Sequence, residues 1–346
     1  MQIQMTAPID KNTETVDAPL KVILTSTQPL VQLNEQCKDL DVDVEWIQLD
    51  QEIGEGFTFP ILKSAFDHAV QSKADLVVAV DEERNLFAIG TRKDLNGGFL
   101  LLNVHQIILI LSKLLLENHK GMELHRSLLI AQGVDILFKA DGLPVKIYGD
   151  LPSPVTSSPA FADIPEGALV VSENQEIVVK GQKDSMAYFL GRIFNESKKL
   201  KTQDKTLFNI LIDIYKLHGH QQVKLLSASR EETTQRQFYT KIFEKLRKKT
   251  PKLIGMDEIT GVEDYENGTI KNAISGRVVN AELPFATAIL VHLNSQTRFL
   301  MYPKDDKVYF LFDATVKVMT TAGLGDVNKQ FNARIFKLVN EINRLG

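Results

Sequence analysis

The chain opens with short apolar runs of two different periods. "LKVILTST" (residues 20–27) and "VDVEWIQL" (42–49) are brief and rich in β-branched residues, and they predict strands with a helical segment between them. "PILKSAFDHAVQSK" (60–73) puts Ile61, Leu62, Ala65, Phe66 and Ala69 at helical spacing behind Pro60, a residue suited to a helix start. "LVVAV" (76–80) is a continuous apolar run and predicts a buried strand. Strand, helix, strand, helix, strand predicts an α/β domain whose sheet is covered on both faces.

A second unit begins near Gly121. "RSLLIAQGVDILFKADGLPVKIYG" has helix, turn and strand character, and the Pro/Ser-rich stretch at 149–167 is a connection. "ALVVSENQEIVVKG" (168–181) predicts two strands around a polar turn, followed by the helices "KDSMAYFLGRIFNESKKL" and "KTLFNILIDIYKLHG". One more helix ends at Pro251, after which strands lead to a closing helix with a stripe of Phe331, Ile335, Leu338, Val339 and Ile342. That stripe predicts docking on a small sheet. The expected division is a flexible leader at 1–19 and mixed α/β units at 20–120, 121–250 and 251–346, the last a small α+β domain. No internal repeat of solenoid length is visible.

Composition narrows the partners. The 346 residues are 44% apolar and 24% charged, with a formal charge of -4, so no global attraction to nucleic acid or anionic lipid is expected. A single cysteine excludes an intrachain disulfide and a thiolate cluster, which permits a cytoplasmic location. The first twenty residues do not have the pattern of a signal peptide. "NVHQIILILSKLLLENH" (103–119) is interrupted by Ser112 and Lys113 and falls short of the roughly 20 residues a span requires, so a buried helix is expected. "KIFEKLRKKTPK" (241–252) is basic, but Ile242, Phe243 and Leu246 give it an apolar side that predicts inward packing. The seven histidines show no metal-site spacing, and no G-x-S-x-G elbow occurs.

"DEERN" (81–85) stands directly after the buried strand. Its charges suit a solvated turn whose acids and base neutralise one another, a weak cation site, or a magnesium loop, since magnesium is held by oxygen ligands in near-octahedral geometry.

The order of these features resembles the α-D-phosphohexomutases, in particular the phosphoglucomutase and phosphomannomutase branch. The resemblance runs from about Leu20 to the C-terminus. It is carried by "KSAFDHAVQSKADLVVAVD", "GGFLLLNVHQIILILSKLLLEN", the paired helices from 183 to 219, and "FEKLRKKTPKLIGMDEITGVEDYENG". It implies a multidomain α/β fold around a cleft and transfer of a phosphoryl group within a hexose phosphate. It also implies a phosphoserine in a first domain, a magnesium loop, a sugar loop and a phosphate loop.

The chain departs from each of these motifs. No "TASHNP"-type serine motif occurs, and the matched region starts too early to hold the domain that carries it. The family's D-x-D-x-D-R loop corresponds to Asp81, Glu83 and Asn85, with Leu86 in place of the arginine, and so most resembles the ruin of a metal site. Glu173 matches the first carboxylate of the sugar loop G-E-E-S, but Asn174 and Gln175 follow it. Glu173 reads either as a sugar contact or as an exposed hairpin residue. Lys183 and Asp184 match the family's "KDG"-like segment near substrate, and Asp184 equally suits a helix N-cap. At the phosphate loop, Met301, Pro303 and Lys304 replace Arg, Ser and Gly, and Asp305 and Asp306 add negative charge.

The resemblance with these losses implies a noncatalytic relative, a pseudoenzyme with a binding or assembly role. Its expected partner is a protein or a second copy of itself. Phosphosugar binding would be weak or absent, with no nucleic acid or membrane and no cofactor. The alternative is a divergent mutase that uses Mg2+ and a serine supplied by a separate chain.

Overall fold

The computed structural model describes residues 19–28, 40–49, 51, 53–54, 56–119, 121–317 and 323–346. The leader expected at 1–19, apart from Pro19, and most of the segment between the first two strands lie outside the described residues.

Strands β1 (Leu20–Ser26), β2 (Val42–Gln48), β3 (Leu76–Asp81), β4 (Leu86–Arg92) and β5 (Phe99–Leu101) form the first sheet, in the order β2-β1-β3-β4-β5. β1 is parallel to β2 and β3, and β4 is antiparallel to β3 and β5. Alternation along each strand sends Ile23, Val77 and Ala79 to one face, where Ala65, Phe66 and Ala69 of helix α1 (Lys63–Gln71) cover them. A Cβ at Gly90 of β4 would collide with the Phe66 ring, so a glycine is required for that helix to settle on the sheet.

The opposite face carries Val22, Leu24, Val78 and Ile89 into a core built around helix α2 (Val104–Leu116). Asn103 starts α2 with a capping box, its side chain accepting from Gln106 N while the Gln106 side chain accepts from Asn103 N. The apolar run of α2 is thus an internal packing element, as its interrupted hydrophobicity predicts. No helix among the described residues is long and apolar enough to cross a membrane.

The second sheet contains β6 (Leu124–Ser127), β7 (Val145–Tyr148), β8 (Leu169–Val171) and β9 (Ile177–Val179), in the order β7-β6-β8-β9. Its directions repeat those of β2-β1-β3-β4: two parallel pairs, then an antiparallel hairpin. The repeat is one of topology; the Leu-Val-Val that opens both β3 and β8 is too short a match for the sequence pattern to reveal it. Helices α3 (Ile136–Ala140), α4 (Pro159–Ala162), α5 (Ser185–Lys201) and α6 (Leu207–His218) belong to this part of the chain. Phe189, Ile193 and Phe194 of α5 and Leu211 of α6 enter the same core as α2, which therefore binds the first two sheets together.

The third sheet comprises β10 (His220–Ser229), β11 (Leu253–Ile254), β12 (Asp257–Asp264), β13 (Thr269–Asn272), β14 (Val278–Asn280), β15 (Ile289–Leu293), β16 (Thr297–Lys304) and β17 (Lys307–Val316). Its order is β10-β17-β16-β15-β12-β13-β14, with β11 paired to β12. Helices α7 (Thr233–Lys248) and α8 (Leu324–Asn343) cover one face. Ile242, Phe243 and Leu246 of α7 and Phe331, Ile335 and Leu338 of α8 pack there on Phe299, Met301, Phe310 and Phe312. The other face, with Leu300, Tyr302 and Leu311, packs on Leu128 and Leu129 just after β6.

The join expected near Pro251 falls inside this layer. β10 precedes it yet pairs residue for residue with β17, from His220 opposite Val316 to Ser229 opposite Lys307. The sequence pattern assigns no strand to 220–229. Val223 and Leu225 pack against one apolar face and Leu226 and Ala228 against the other, so the alternation of apolar and polar residues changes phase between Leu225 and Leu226.

Candidate functional site

Because the first two sheets share a topology, their β3–β4 and β8–β9 hairpins occupy equivalent positions at the ends of β3 and β8. Each hairpin turns through one residue in the left-handed region, Asn85 at φ 52 and Gln175 at φ 70. Asn tolerates that conformation better than most residues, because its short amide bonds locally. The two turns approach each other. Asn85 Nδ2 donates to Glu176 Oε1 at 3.2 Å, and Glu176 Oε2 accepts from Ser153 Oγ at 2.7 Å and Val155 N at 2.8 Å. Glu176 is 3% exposed, and these three donors satisfy a carboxylate that burial would otherwise penalise.

The third sheet closes on the same place through its β16–β17 hairpin. Lys304 Nζ donates to Glu173 at 2.7 and 2.8 Å and to Asp150 Oδ1 at 2.8 Å. Burial works against the Lys304 charge, but the bonds to Asp150 and Glu173 outweigh it and hold its pKa above the ordinary lysine value. Beside it, Tyr302 Oη donates to Gly149 O at 2.9 Å. The hairpin is a tight turn in which Lys304 pairs with Lys307 and Asp305 sits at φ 51. No Gly-containing cradle of backbone donors is present there. Met301 is fully buried under the helices, pointing away from this junction.

The candidate metal residues do not converge. Asp81 Oδ1 accepts from Arg84 N at 3.1 Å and Oδ2 pairs with Arg84 Nε at 2.5 Å, so its carboxylate holds the turn. Glu83 is exposed, and Asn85 is directed at Glu176. Octahedral magnesium needs oxygens aimed at one point, and these three side chains do not fit it. Asp184 caps α5, its Oδ1 accepting from Ala187 N at 2.9 Å, and Lys183 beside it is exposed. The histidines are held on separate partners: His119 bonds Tyr188, His125 bonds Tyr148 and Glu123, and His220 bonds Asn328.

A cavity of about 330 Å³ remains between the layers, bounded by Phe57, Phe87, His105, Asn174, Gln175 and Lys224. His105, at its wall, accepts from Ala131 N at 3.1 Å. Burial drives its pKa down to about 4, with the charge of Asp313 pulling the other way.

Deeper in, two bidentate ion pairs, one buried and one part-buried, lie at the join of the second and third sheets. Arg126 bonds Asp135 at 2.6 and 2.9 Å, and Arg298 bonds Asp313 at 2.5 and 2.7 Å. A space of about 80 Å³ lies between them, with Tyr265 and Glu263 on its wall. The sequence pattern does not single out Asp150, Glu176 or these ion pairs, because their partners are set by how segments pack and not by helical or strand spacing.

No protein-family model and no curated protein matches the chain. Solved structures do match in fold. A phosphoglucomutase/phosphomannomutase family protein from Burkholderia thailandensis aligns with a TM-score of 0.55 at 13% identity, covering 92% of this chain and 61% of that one. The exocytosis-sensitive phosphoprotein pp63/parafusin, a phosphoglucomutase from Paramecium in its open form, aligns at 0.52 and 10% identity, covering 92% of this chain and 50% of that one. The chain therefore spans about half to three fifths of the length of the structures it matches. Over that span, its three layers have the fold of the phosphoglucomutase/phosphomannomutase proteins.

Proposed function

We propose that this chain is a noncatalytic protein on the phosphohexomutase fold, with a binding or assembly role in the cytoplasm. One observation carries the reading: Lys304 is closed onto Glu173 and Asp150. Glu173 is the carboxylate that resemblance assigns to sugar hydroxyls, and here an internal cation uses both of its oxygens. The hairpin that supplies the cation stands where the family grips phosphate. A hexose phosphate would have to break this contact and then meet Asp305 and Asp306.

The metal loop supports the same reading. Phosphoryl transfer needs a positioned nucleophile, a cation and directed donors, and Asp81 is committed to Arg84. The function that remains is recognition of another protein, or of a second copy, with phosphosugar binding weak or absent and neither nucleic acid nor membrane expected as a partner. Calorimetric titration of glucose 1-phosphate and glucose with Mg2+ present tests the binding side. No heat from either ligand is expected at millimolar concentration. Tight binding of the phosphate ester alone would overturn the proposal.

A further inference from the structure

The third sheet ends on one side in β14, which pairs with β13 alone. Bonded and non-bonded residue pairs alternate along an antiparallel ladder. Asn272 N donates to Arg277 O at 2.8 Å and Ala281 N to Gly268 O at 2.8 Å, so Ile270 and Val279 form the bonded pair between them. The N–H and C=O groups of Val278 and Asn280 therefore point away from the sheet. All three residues of β14 are exposed, and no other described part of the chain covers this edge.

Sheets guard an open edge with a charge, a proline, a bulge or a covering segment. β14 is short, yet it reads Val-Val-Asn and carries no charge, proline or cover. Apolar surface is concentrated beside it: Ile274, Val278, Val279 and Phe285 are 68%, 55%, 40% and 76% exposed. The only charged residues in the stretch 274–285 are Arg277, just before the strand, and Glu282, just after it. Both are exposed, and neither side chain pairs with another described residue.

We propose that β14 is the contact between two copies of this chain, paired antiparallel about a two-fold axis at Val279. In that register Val278 of each copy faces Asn280 of the other and exchanges N–H···O bonds with it, so every outward backbone group is used. Antiparallel pairing also sets the start of one strand beside the end of the other. It brings Arg277 of each copy to Glu282 of its mate and Ile274 toward Phe285, whereas a parallel pair would set like charges together. A second copy satisfies both ends at once by symmetry. The pair buries on the order of 1,000 Å² in total, the lower bound for a specific contact, so a dimer of micromolar affinity is expected. This names a partner for the assembly role proposed above but rests on the edge strand alone. A monomer would leave the noncatalytic reading standing, and turnover would leave the dimer standing.

Sedimentation velocity on the full chain from about 1 to 100 μM should show monomer giving way to dimer. Val279→Lys sets two like charges on the axis and should weaken association at least about tenfold. Arg277→Glu and Glu282→Arg should each weaken it, and the two together should restore it. These side chains all reach solvent, so unchanged melting temperatures separate lost association from lost folding. Register is read by cross-linking, with Cys37→Ser removing the one native thiol. Val279→Cys should then form a covalent dimer on mild oxidation, because a non-bonded antiparallel pair has the short Cα separation a disulfide needs, and Asn280→Cys should not. A chain that stays monomeric up to about 100 μM overturns the proposal. So does a dimer indifferent to Val279→Lys, a charge swap no stronger than its single variants, or equal cross-linking at 279 and 280.

Discussion

Lys304 Nζ stands 2.8 and 2.7 Å from the two carboxylate oxygens of Glu173, and this one contact joins the third sheet to the hairpin of the second. The residues lie 131 positions apart, so the contact appears only when β16 and the β8–β9 hairpin fold against each other.

Breaking this contact from one side leaves a charge without its partner. Lys304→Met is expected to lower stability in urea by about 1–2 kcal/mol, less than a fully buried pair would cost because the lysine keeps some solvent contact. Adding Glu173→Gln should recover part of the loss, and a double-mutant cycle measures the coupling. The folded pKa of Lys304 is raised above its reference of 10.5, so its contribution is complete below that pH and fades as pH rises through the folded value.

His105 gives the opposite dependence. Its pKa falls from 6.5 to about 4 on folding, so between those values the unfolded chain holds more protons and stability rises with pH. Stability is expected to drop by about 1.5 kcal/mol between pH 6.5 and pH 5, the slope steepening toward about 1.4 kcal/mol per unit below pH 6. His105→Gln, whose amide oxygen can take the place of Nε2, retains a polar partner for Ala131 N and should flatten that slope in urea titrations at successive pH values. An unchanged slope would assign it to other groups.

Asp135 lies almost wholly buried, bound by Arg126 and reached by Lys139 at 3.0 Å. Asp135→Asn strands the Arg126 guanidinium and is expected to cost about 3–5 kcal/mol, measured by thermal unfolding. A loss below about 1 kcal/mol would mean that water replaces the carboxylate.

Restoring letters should not restore a metal site. Glu83→Asp with Asn85→Asp rebuilds the acidic pattern of the family's loop, yet Asp81 stays tied to Arg84 and residue 85 is set by its left-handed turn. Calorimetry with millimolar Mg2+ is expected to show no binding to this variant. A clear isotherm would show that the loop rearranges around the ion.

The elements of the first sheet were legible because each has its own period: α1 buries Ala65, Phe66 and Ala69 as its spacing predicts, and β3 is the continuous apolar run. β10 was not legible, since its apolar residues switch from one face to the other between Leu225 and Leu226 and break the alternation into two short pieces. The turns at Asp81–Asn85 and 172–176 were legible as polar hairpins, but their mutual contact through Asn85 and Glu176 was not. Local letters encode a turn, whereas the meeting of two turns depends on how three sheets pack.

The central claim is that the junction of these hairpins does no phosphoryl transfer. The direct measurement is a coupled assay of purified chain with glucose 1-phosphate, Mg2+ and a bisphosphorylated sugar primer, which removes an unprimed serine as a cause of inactivity. The expected result is no glucose 6-phosphate above a denatured control. Turnover proportional to protein, retained after repurification and abolished by a substitution at Glu173, would contradict the account.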